Sequence, residues 1–172
     1  MTKYKNSFVA MHWLHAVLIS FLLIGATIKM PDLPAIGGDL SPYKMHIALG
    51  VLATLMTIIR LLMLRLQPKI LPLKVDELRQ SIIKWNHRLI YLFLLIVGIS
   101  GFATAKAANI GSIVWFGRDA TDYTGPDGIV NIFASIHSAS STILMILIVM
   151  HIAGVVSYKL KTGEPIIKRM WF

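Results

Sequence analysis

The chain has 172 residues, of which 56% are hydrophobic and only 15% are charged, and its mean hydropathy of +0.70 excludes an ordinary soluble domain. It contains no cysteine, which excludes disulfides, thiolate metal ligands, iron–sulfur clusters and covalent attachment of haem through a C-x-x-C-H motif. The formal net charge of +9 comes from basic residues that flank apolar stretches, a pattern typical of contact with anionic lipid and not of nucleic-acid binding.

Four stretches of about twenty or more residues, almost free of charge, are predicted to cross a membrane as α-helices. In chain order they run from 8 to 30, from 45 to 66, from 82 to 105 and from 132 to 158. The first is too long for the apolar region of a signal peptide, and no small-residue cleavage site follows it, so it is kept as a helix. The sequence therefore predicts an all-α, integral membrane four-helix bundle, with residues 1–172 as a single domain.

Lysine and arginine are distributed unequally between the two sides of this bundle. The termini, the second connection and the helix ends beside it carry thirteen of the seventeen: Lys3, Lys5, Arg60, Arg65, Lys69, Lys74, Arg79, Lys84, Arg88, Lys159, Lys161, Lys168 and Arg169. The positive-inside rule then predicts that both termini are cytoplasmic. The first and third connections face outward and carry Lys29, Lys44, Lys106 and Arg118, together with five aspartates. The third is long enough for a short surface helix or a structured loop around Trp115 and Phe116.

The helix directions give each histidine in a span a depth. His12 and His15 on the first span and His87 on the third lie near the cytoplasmic face, whereas His46 on the second lies near the outer face. The fourth span carries one histidine at each depth, His137 outside and His151 inside. These two are separated by about 21 Å along the helix axis and lie within about 40° of the same face, so one helix can serve two stacked sites.

Pairs of histidines in this setting favour haem over other metal centres. The four spans contain no Asp, Glu or Cys, which zinc and other divalent ions usually require besides histidine. Bis-imidazole ligation of haem iron needs only two histidines on facing helices and room for a flat macrocycle, which Gly50, Gly98, Gly101 and Gly154 can provide. The alternatives are a hydrogen bond from each histidine to a neighbouring helix and ordinary close helix packing for each glycine.

The depths suggest a ligand assignment for the outer haem and leave one open for the inner haem. His46 and His137 are the only two histidines at the outer depth, and His151 is the natural anchor of the inner haem. The second inner ligand is His12, His15 or His87. Arg60 lies fourteen residues after His46, where its guanidinium can pair with a haem propionate, although a snorkelling arginine at a helix end is an equal alternative.

A set of ordered motifs carries a family resemblance over nearly the whole chain. They are "MHWLHA", "YKMHIALGVL", "IIRLLMLRL", "NHRLIYLFLL", "IHSASS", "MHIAG" and "IIKRM". In this set the chain resembles the bacterial cytochrome b561 family and, within it, the superoxide oxidase type. The resemblance implies that His12 pairs with His151 at an inner haem b and His46 with His137 at an outer one. It also implies that His87 lies near the inner haem, where it contacts the quinone or transfers a proton.

The same resemblance implies quinone contacts on the cytoplasmic side and a function. Lys74 matches a lysine associated with the quinone end, although a solvated lysine is an equal reading. Tyr158 stands where the family type has histidines. The expected function is superoxide:ubiquinone oxidoreductase of the bacterial inner membrane, with superoxide drawn to Lys29, Lys44, Lys106 and Arg118. The alternatives are an electron-transfer subunit for a partner dehydrogenase or hydrogenase, and a transport or scaffold bundle without redox activity.

Overall fold

The computed structural model describes residues 4–30, 33–68, 73, 75–117 and 122–171, with the side chain of Lys29 also outside the description. Its helices are α1 (Asn6–Lys29), α2 (Ser41–Arg65), α3 (Glu77–Ala107), α4 (Ile110–Phe116) and α5 (Gly128–Thr162), followed by a C-terminal 3-10 helix (Ile166–Met170). No β-strand occurs in these described ranges. The predicted all-α class is confirmed, and α1, α2, α3 and α5 correspond to the four predicted spans.

These four helices are long and apolar enough to cross a membrane. Large apolar side chains point away from the bundle on each of them, as Phe21 (61% exposed), Leu55 (52%), Phe102 (64%) and Val149 (60%) illustrate. Such exposure would be costly in water, but hydrocarbon chains solvate apolar side chains well. The outer surface of the bundle is therefore suited to lipid.

All four helices are longer than the apolar stretches that predicted them, although α1 is longer by only one residue. α3 begins at Glu77, five residues before the predicted start, because the side chain of Asp76 caps it by accepting a hydrogen bond from the Arg79 N–H at 2.8 Å. α5 continues to Thr162 and ends where Gly163 takes a left-handed conformation with φ of 71°. Hydropathy marks the part of a helix that lies in lipid, and its polar ends need capping signals to be recognised.

The helices pack in the order α1, α2, α3, α5. α3 lies along α5, α1 lies along α2, and α2 also packs on α3. Gly98 permits the close approach of α3 to α2, because a Cβ at this position would collide with Thr54. Neither α2 and α5 nor α1 and α5 pack along each other to a comparable extent within the described residues.

Both termini lie at one end of the bundle, here named the terminal end. The indole Nε1–H of Trp13 donates to the carbonyl of Met170 at 2.8 Å, and the N–H of Tyr4 approaches the carbonyl of Arg169 at 3.4 Å. The opposite end, named the loop end, carries the first and third connections. That the terminal end is cytoplasmic stays a prediction from the distribution of lysine and arginine.

A small core closes the loop end. Residues 110–116 form the short helix α4, where the sequence predicted a surface helix or a structured loop, and α4 packs on α2 and α3. The core consists of Leu40, Ala108, Ile110, Tyr123 and Val130. The hydroxyl of Tyr123 donates to the carbonyl of Pro34 at 2.8 Å, and burial raises the pKa of this phenol. The first connection is thereby attached to the third.

Candidate functional site

The histidine side chains form two groups, one towards each end of the bundle. His46 of α2 and His137 of α5 face each other towards the loop end, with ring centroids 6.0 Å apart and ring planes at 82°; they are named the outer pair. Towards the terminal end, His12 and His15 contact Arg60, and His87 faces His151. These four histidines and Arg60 are named the inner cluster. α5 contributes one histidine to each group.

In the outer pair, the ring of His137 is held in a defined orientation. Its Nδ1 lies 2.9 Å from the carbonyl oxygen of Val97. Since a carbonyl can only accept, Nδ1 carries the proton and donates this hydrogen bond. The neutral ring therefore keeps an unprotonated Nε2, the form in which imidazole binds a metal, and such a second bond commonly orients metal-binding histidines. Gly101 makes room for the ring, since a Cβ there would lie 2.8 Å from His137 Cε1.

The outer pair fits ligation of one iron by two imidazoles. An imidazole nitrogen lies about 2 Å from a metal ion that it binds, so two rings on opposite sides of one ion have centroids about 6 Å apart. The observed separation is 6.0 Å. Open space lies beside Gly50, one turn beyond His46, because a Cβ there would meet no atom within 4 Å. The limited packing of α2 on α5 is also compatible with a macrocycle between them.

In the inner cluster, the guanidinium of Arg60 lies inside the bundle and does not snorkel to a helix end. Its Cζ lies 5.4 Å from the ring centroid of Phe8 and 5.5 Å from that of Tyr91. Nη2 donates to Nδ1 of His12 at 3.0 Å, while Nε is buried and has no hydrogen-bond partner. The apolar stretches that formed the predicted spans contain no carboxylate to neutralise this charge. A guanidinium that has a buried Nε without a partner, and no carboxylate from the spans, is suited to an anionic ligand.

His15 is directed towards α2 and not towards the other histidines. Its side chain is 1% exposed, and its Nε2–H donates to the carbonyl of Ala53 at 3.1 Å. Its Nδ1 lies 3.5 Å from Nη1 of Arg60. Both ring nitrogens therefore face protein groups. Of the three candidates for the second inner ligand, His15 is the one whose nitrogens are both occupied in this way.

His12 and His87 both lie near His151 but differ in geometry. The rings of His87 and His151 are 4.9 Å apart at 88°, which is shorter than the roughly 6 Å expected for two imidazoles with a metal ion between them. His12 is close enough to His151 to interact with it electrostatically. Because Nδ1 of His12 accepts from Arg60, the neutral ring carries its proton on Nε2. Metal binding through Nε2 would require the other tautomer and a shift of Arg60 away from Nδ1.

No group of three or more histidine, aspartate or glutamate side chains is placed to hold a metal ion in the part of the chain that the structure describes.

The sequence model of the family described as prokaryotic cytochrome b561 matches residues 3–172, nearly the entire chain. The chain belongs to the prokaryotic cytochrome b561 family. Cytochromes of this family bind b-type haem and transfer electrons in the membrane. Neither a curated protein nor a solved structure matches the chain.

In this cytochrome b561, the cations predicted to steer superoxide are described only in part. Nζ of Lys44 lies 5.0 Å from the ring of Trp115 on α4, and Lys106 is exposed at the end of α3. Arg118 and the side chain of Lys29 lie outside the described residues. Lys44 shares a shallow pocket of about 400 Å³ with Asp39.

The pocket beside Lys44 carries charges of both signs. The backbone N–H and the hydroxyl of Ser41 donate to the carboxylate of Asp39 at 2.8 Å and 2.9 Å. These two bonds hold the pKa of Asp39 below its ordinary value, so this residue is anionic at neutral pH. The immediate surroundings of Lys44 are therefore not uniformly positive.

The candidate quinone residues are described unequally. Tyr158 is buried, and its hydroxyl lies 3.4 Å from a carboxylate oxygen of Glu164. His87 has an exposed ring whose Nδ1–H donates to the carbonyl of Ile83 at 2.7 Å, leaving Nε2 free. Lys74 lies outside the described residues. Of the three candidates, His87 is the one seen with a free polar atom on the bundle surface.

Four contacts of the inner cluster were not predicted from the sequence. Phe8 and Tyr91 flank the guanidinium of Arg60, and Ala53 and Thr57 contact the ring of His15. Phe8 and Tyr91 are ordinary residues of apolar spans, so no local signal distinguishes them. Thr57 lies three residues before Arg60, about one helical turn away, and this spacing was the only available hint.

Proposed function

We propose that this cytochrome b561 is a di-haem superoxide oxidase of the bacterial inner membrane. In this proposal it takes single electrons from superoxide at the outer face and delivers them to ubiquinone near the cytoplasmic face. The observation that carries the proposal is the division of the histidines between two depths, with α5 contributing to both. One rigid helix then fixes the distance between two redox sites, about 21 Å along its axis.

The ligands proposed for the outer haem b are His46 and His137, and those for the inner haem b are His12 and His151. When bound, each haem supplies an iron that gains and loses one electron. Val97 orients His137 so that its Nε2 lone pair is available, and Gly101 accommodates the ring. At the inner site Arg60 would hold an anionic propionate, because its buried Nε has no other partner and no carboxylate is present in the spans.

The overall reaction balances with two superoxide ions for each quinone. Two superoxide ions lose one electron each and leave as oxygen, and one ubiquinone takes up two electrons and two protons from the cytoplasmic side. Lys29, Lys44, Lys106 and Arg118 are proposed to attract the anion, an effect that weakens as ionic strength rises. His87, Lys74 and Tyr158 are proposed to contact the quinone or its protons, with His87 favoured by its free Nε2.

The ligand proposal is tested by the haem content of purified protein. We expect two haems b for each chain, and one after either His46→Ala or His137→Ala, because each change removes one of two axial ligands. Ser138→Ala is the matched control, since Ser138 follows His137 and is exposed on α5; it should retain two. Two haems in both histidine variants would contradict the outer ligand pair.

The donor is tested by supplying superoxide to the purified di-haem protein in detergent together with a soluble ubiquinone. We expect oxygen and ubiquinol in a 2:1 ratio without another protein, and slower reduction at high salt. Reduction of quinone only after addition of a co-purifying dehydrogenase or hydrogenase would replace superoxide by that partner as the donor. A protein without haem would contradict electron transfer altogether.

A further inference from the structure

His15 is a buried titratable side chain that the proposed function does not use. It lies on α1, yet the contacts seen for its ring are to α2. Its Nε2–H donates to the carbonyl of Ala53 at 3.1 Å. The hydroxyl of Thr57 also donates to the Ala53 carbonyl, at 2.9 Å, and lies 3.3 Å from Nε2 of His15. Since a carbonyl only accepts, this bond fixes the proton on Nε2 and leaves Nδ1 with its lone pair.

The free Nδ1 of His15 faces Arg60. It lies 3.5 Å from Nη1, a long contact, and an arginine nitrogen can only donate. Ala53 and Arg60 both belong to α2 and are seven residues apart, which is two helical turns. His15 therefore bridges a backbone carbonyl of α2 to a guanidinium on the same helix and braces that side chain inside the bundle.

The position of Arg60 matters because reduction of a haem adds an electron near it. A fixed cation favours the reduced state, and it does so more strongly in the low dielectric of a membrane bundle than in water. Arginine is carried on a long flexible stem, so its effect depends on what holds the guanidinium in place. The rings of Phe8 and Tyr91 flank it. Nη2 donates to Nδ1 of His12 at 3.0 Å, and Nη1 faces Nδ1 of His15 at 3.5 Å. If His12 binds iron through Nε2, the first of these contacts is lost, and the contact with His15 remains to hold the guanidinium.

We propose that His15 is a positioning residue, not an iron ligand: it holds the guanidinium of Arg60 at the depth of the inner haem and thereby raises the reduction potential of that haem. This inference rests on the proposed function, because it requires an inner haem near Arg60. It concerns a hydrogen-bonded arrangement and involves no change in the protonation of His15.

The test is a redox titration of the purified di-haem protein, followed by its visible spectrum. His15→Phe keeps a ring of similar size but has no nitrogen, and we expect it to lower the potential of one haem and leave the other unchanged. His15→Leu should lower the same potential, so the test stands if one of the two variants fails to incorporate haem. His15→Gln should restore the potential, because its amide can donate to the Ala53 carbonyl and accept from Arg60.

A double-mutant cycle with Arg60→Gln separates positioning from a general loosening of the bundle. Arg60→Gln alone should lower the potential of the same haem. Adding His15→Phe should then cause no further fall, because His15 acts through Arg60. Additive falls, or a shift of both haems, would overturn the positioning role.

The remaining outcomes distinguish this inference from the function on which it rests. If Arg60→Gln lowers one potential and neither His15→Phe nor His15→Leu does, the positioning role is overturned and the di-haem proposal stands. If Arg60→Gln changes neither potential, the role of Arg60 at the inner haem fails and the positioning role fails with it. Protein that binds no haem would overturn both the inference and the proposed function.

Discussion

His137 and His15 are the same residue type, and each has one ring nitrogen fixed by a backbone carbonyl, but the other nitrogen faces different surroundings. In His137 the carbonyl of Val97 takes Nδ1–H, which leaves Nε2 free towards His46. In His15 the carbonyl of Ala53 takes Nε2–H, which leaves Nδ1 beside Arg60. The carbonyl partner therefore determines which nitrogen is free: Nε2 in His137, as the proposed haem ligation requires, and Nδ1 in His15, as the proposed positioning role requires.

Ligation of haem by His137 also requires space for its ring, which Gly101 provides. We predict that Gly101→Ala lowers the haem content from two towards one for each chain, because its Cβ would lie 2.8 Å from the ring of His137. Gly25→Ala is the matched control, since a Cβ there meets no atom within 4 Å; it should retain both haems and gain about 0.5–1 kcal/mol of stability. Equal haem content in both variants would contradict a steric role for Gly101.

At the scale of the helices, α5 has the central role. It spans 35 residues, reaches both sites and packs along α3. α3 in turn carries Val97, whose carbonyl accepts a hydrogen bond from His137, and Gly101, which leaves room for the His137 ring. The orientation of the His137 ring therefore depends on how α3 lies against α5. α2 supplies His46 and Arg60, so it also contributes to both depths.

The start of α3 offers a test of what stabilises these helices. Asp76 and Asp127 are the N-cap residues of α3 and α5, but only Asp76 makes a side-chain capping bond among these described caps. Asp76→Ala should lower the free energy of unfolding in detergent by about 1 kcal/mol. Asp127→Ala should cost roughly 0.5 kcal/mol or less, through the helix dipole alone. Equal losses in denaturant titrations would show that the Asp76 bond contributes nothing specific.

At the scale of the whole molecule, orientation in the membrane decides which redox site meets which medium. Both termini lie at the terminal end, beside the inner cluster and most of the basic residues. The positive-inside rule assigns this end to the cytoplasm. A reversed orientation would expose the outer pair to the cytoplasm and exclude an external donor.

The absence of cysteine allows a direct test of orientation. Ile36 lies at the loop end and is 70% exposed, and Thr162 ends α5 at the terminal end. In intact spheroplasts, a membrane-impermeant maleimide should label Ile36→Cys at once and Thr162→Cys only after permeabilisation. The unmodified chain is the control and should not be labelled. The opposite pattern would reverse the proposed path of electrons.

Several features of this protein follow from the sequence alone. Lipid requires an apolar stretch of nearly fixed length for each crossing, so the four spans are visible without a structure. The rise of 1.5 Å per residue then converts position in the sequence to depth, which separates His46 from Arg60 on one helix and His137 from His151 on another. The length of an apolar stretch and the rise of an α-helix do not depend on contacts with distant residues, so both can be read from the sequence.

Only the tertiary structure decided which side of each helix faces which neighbour. Helices that are apolar around their whole circumference give no pattern that marks a buried face. Position in the sequence therefore left the second inner ligand open between His12, His15 and His87, and the family resemblance implied His12. In the structure, packing of α1 on α2 directs His15 to Ala53. It also places Arg60 between aromatic rings from two other helices. Rotation about the helix axis is set by contacts between distant residues, and these contacts exist only in the folded bundle.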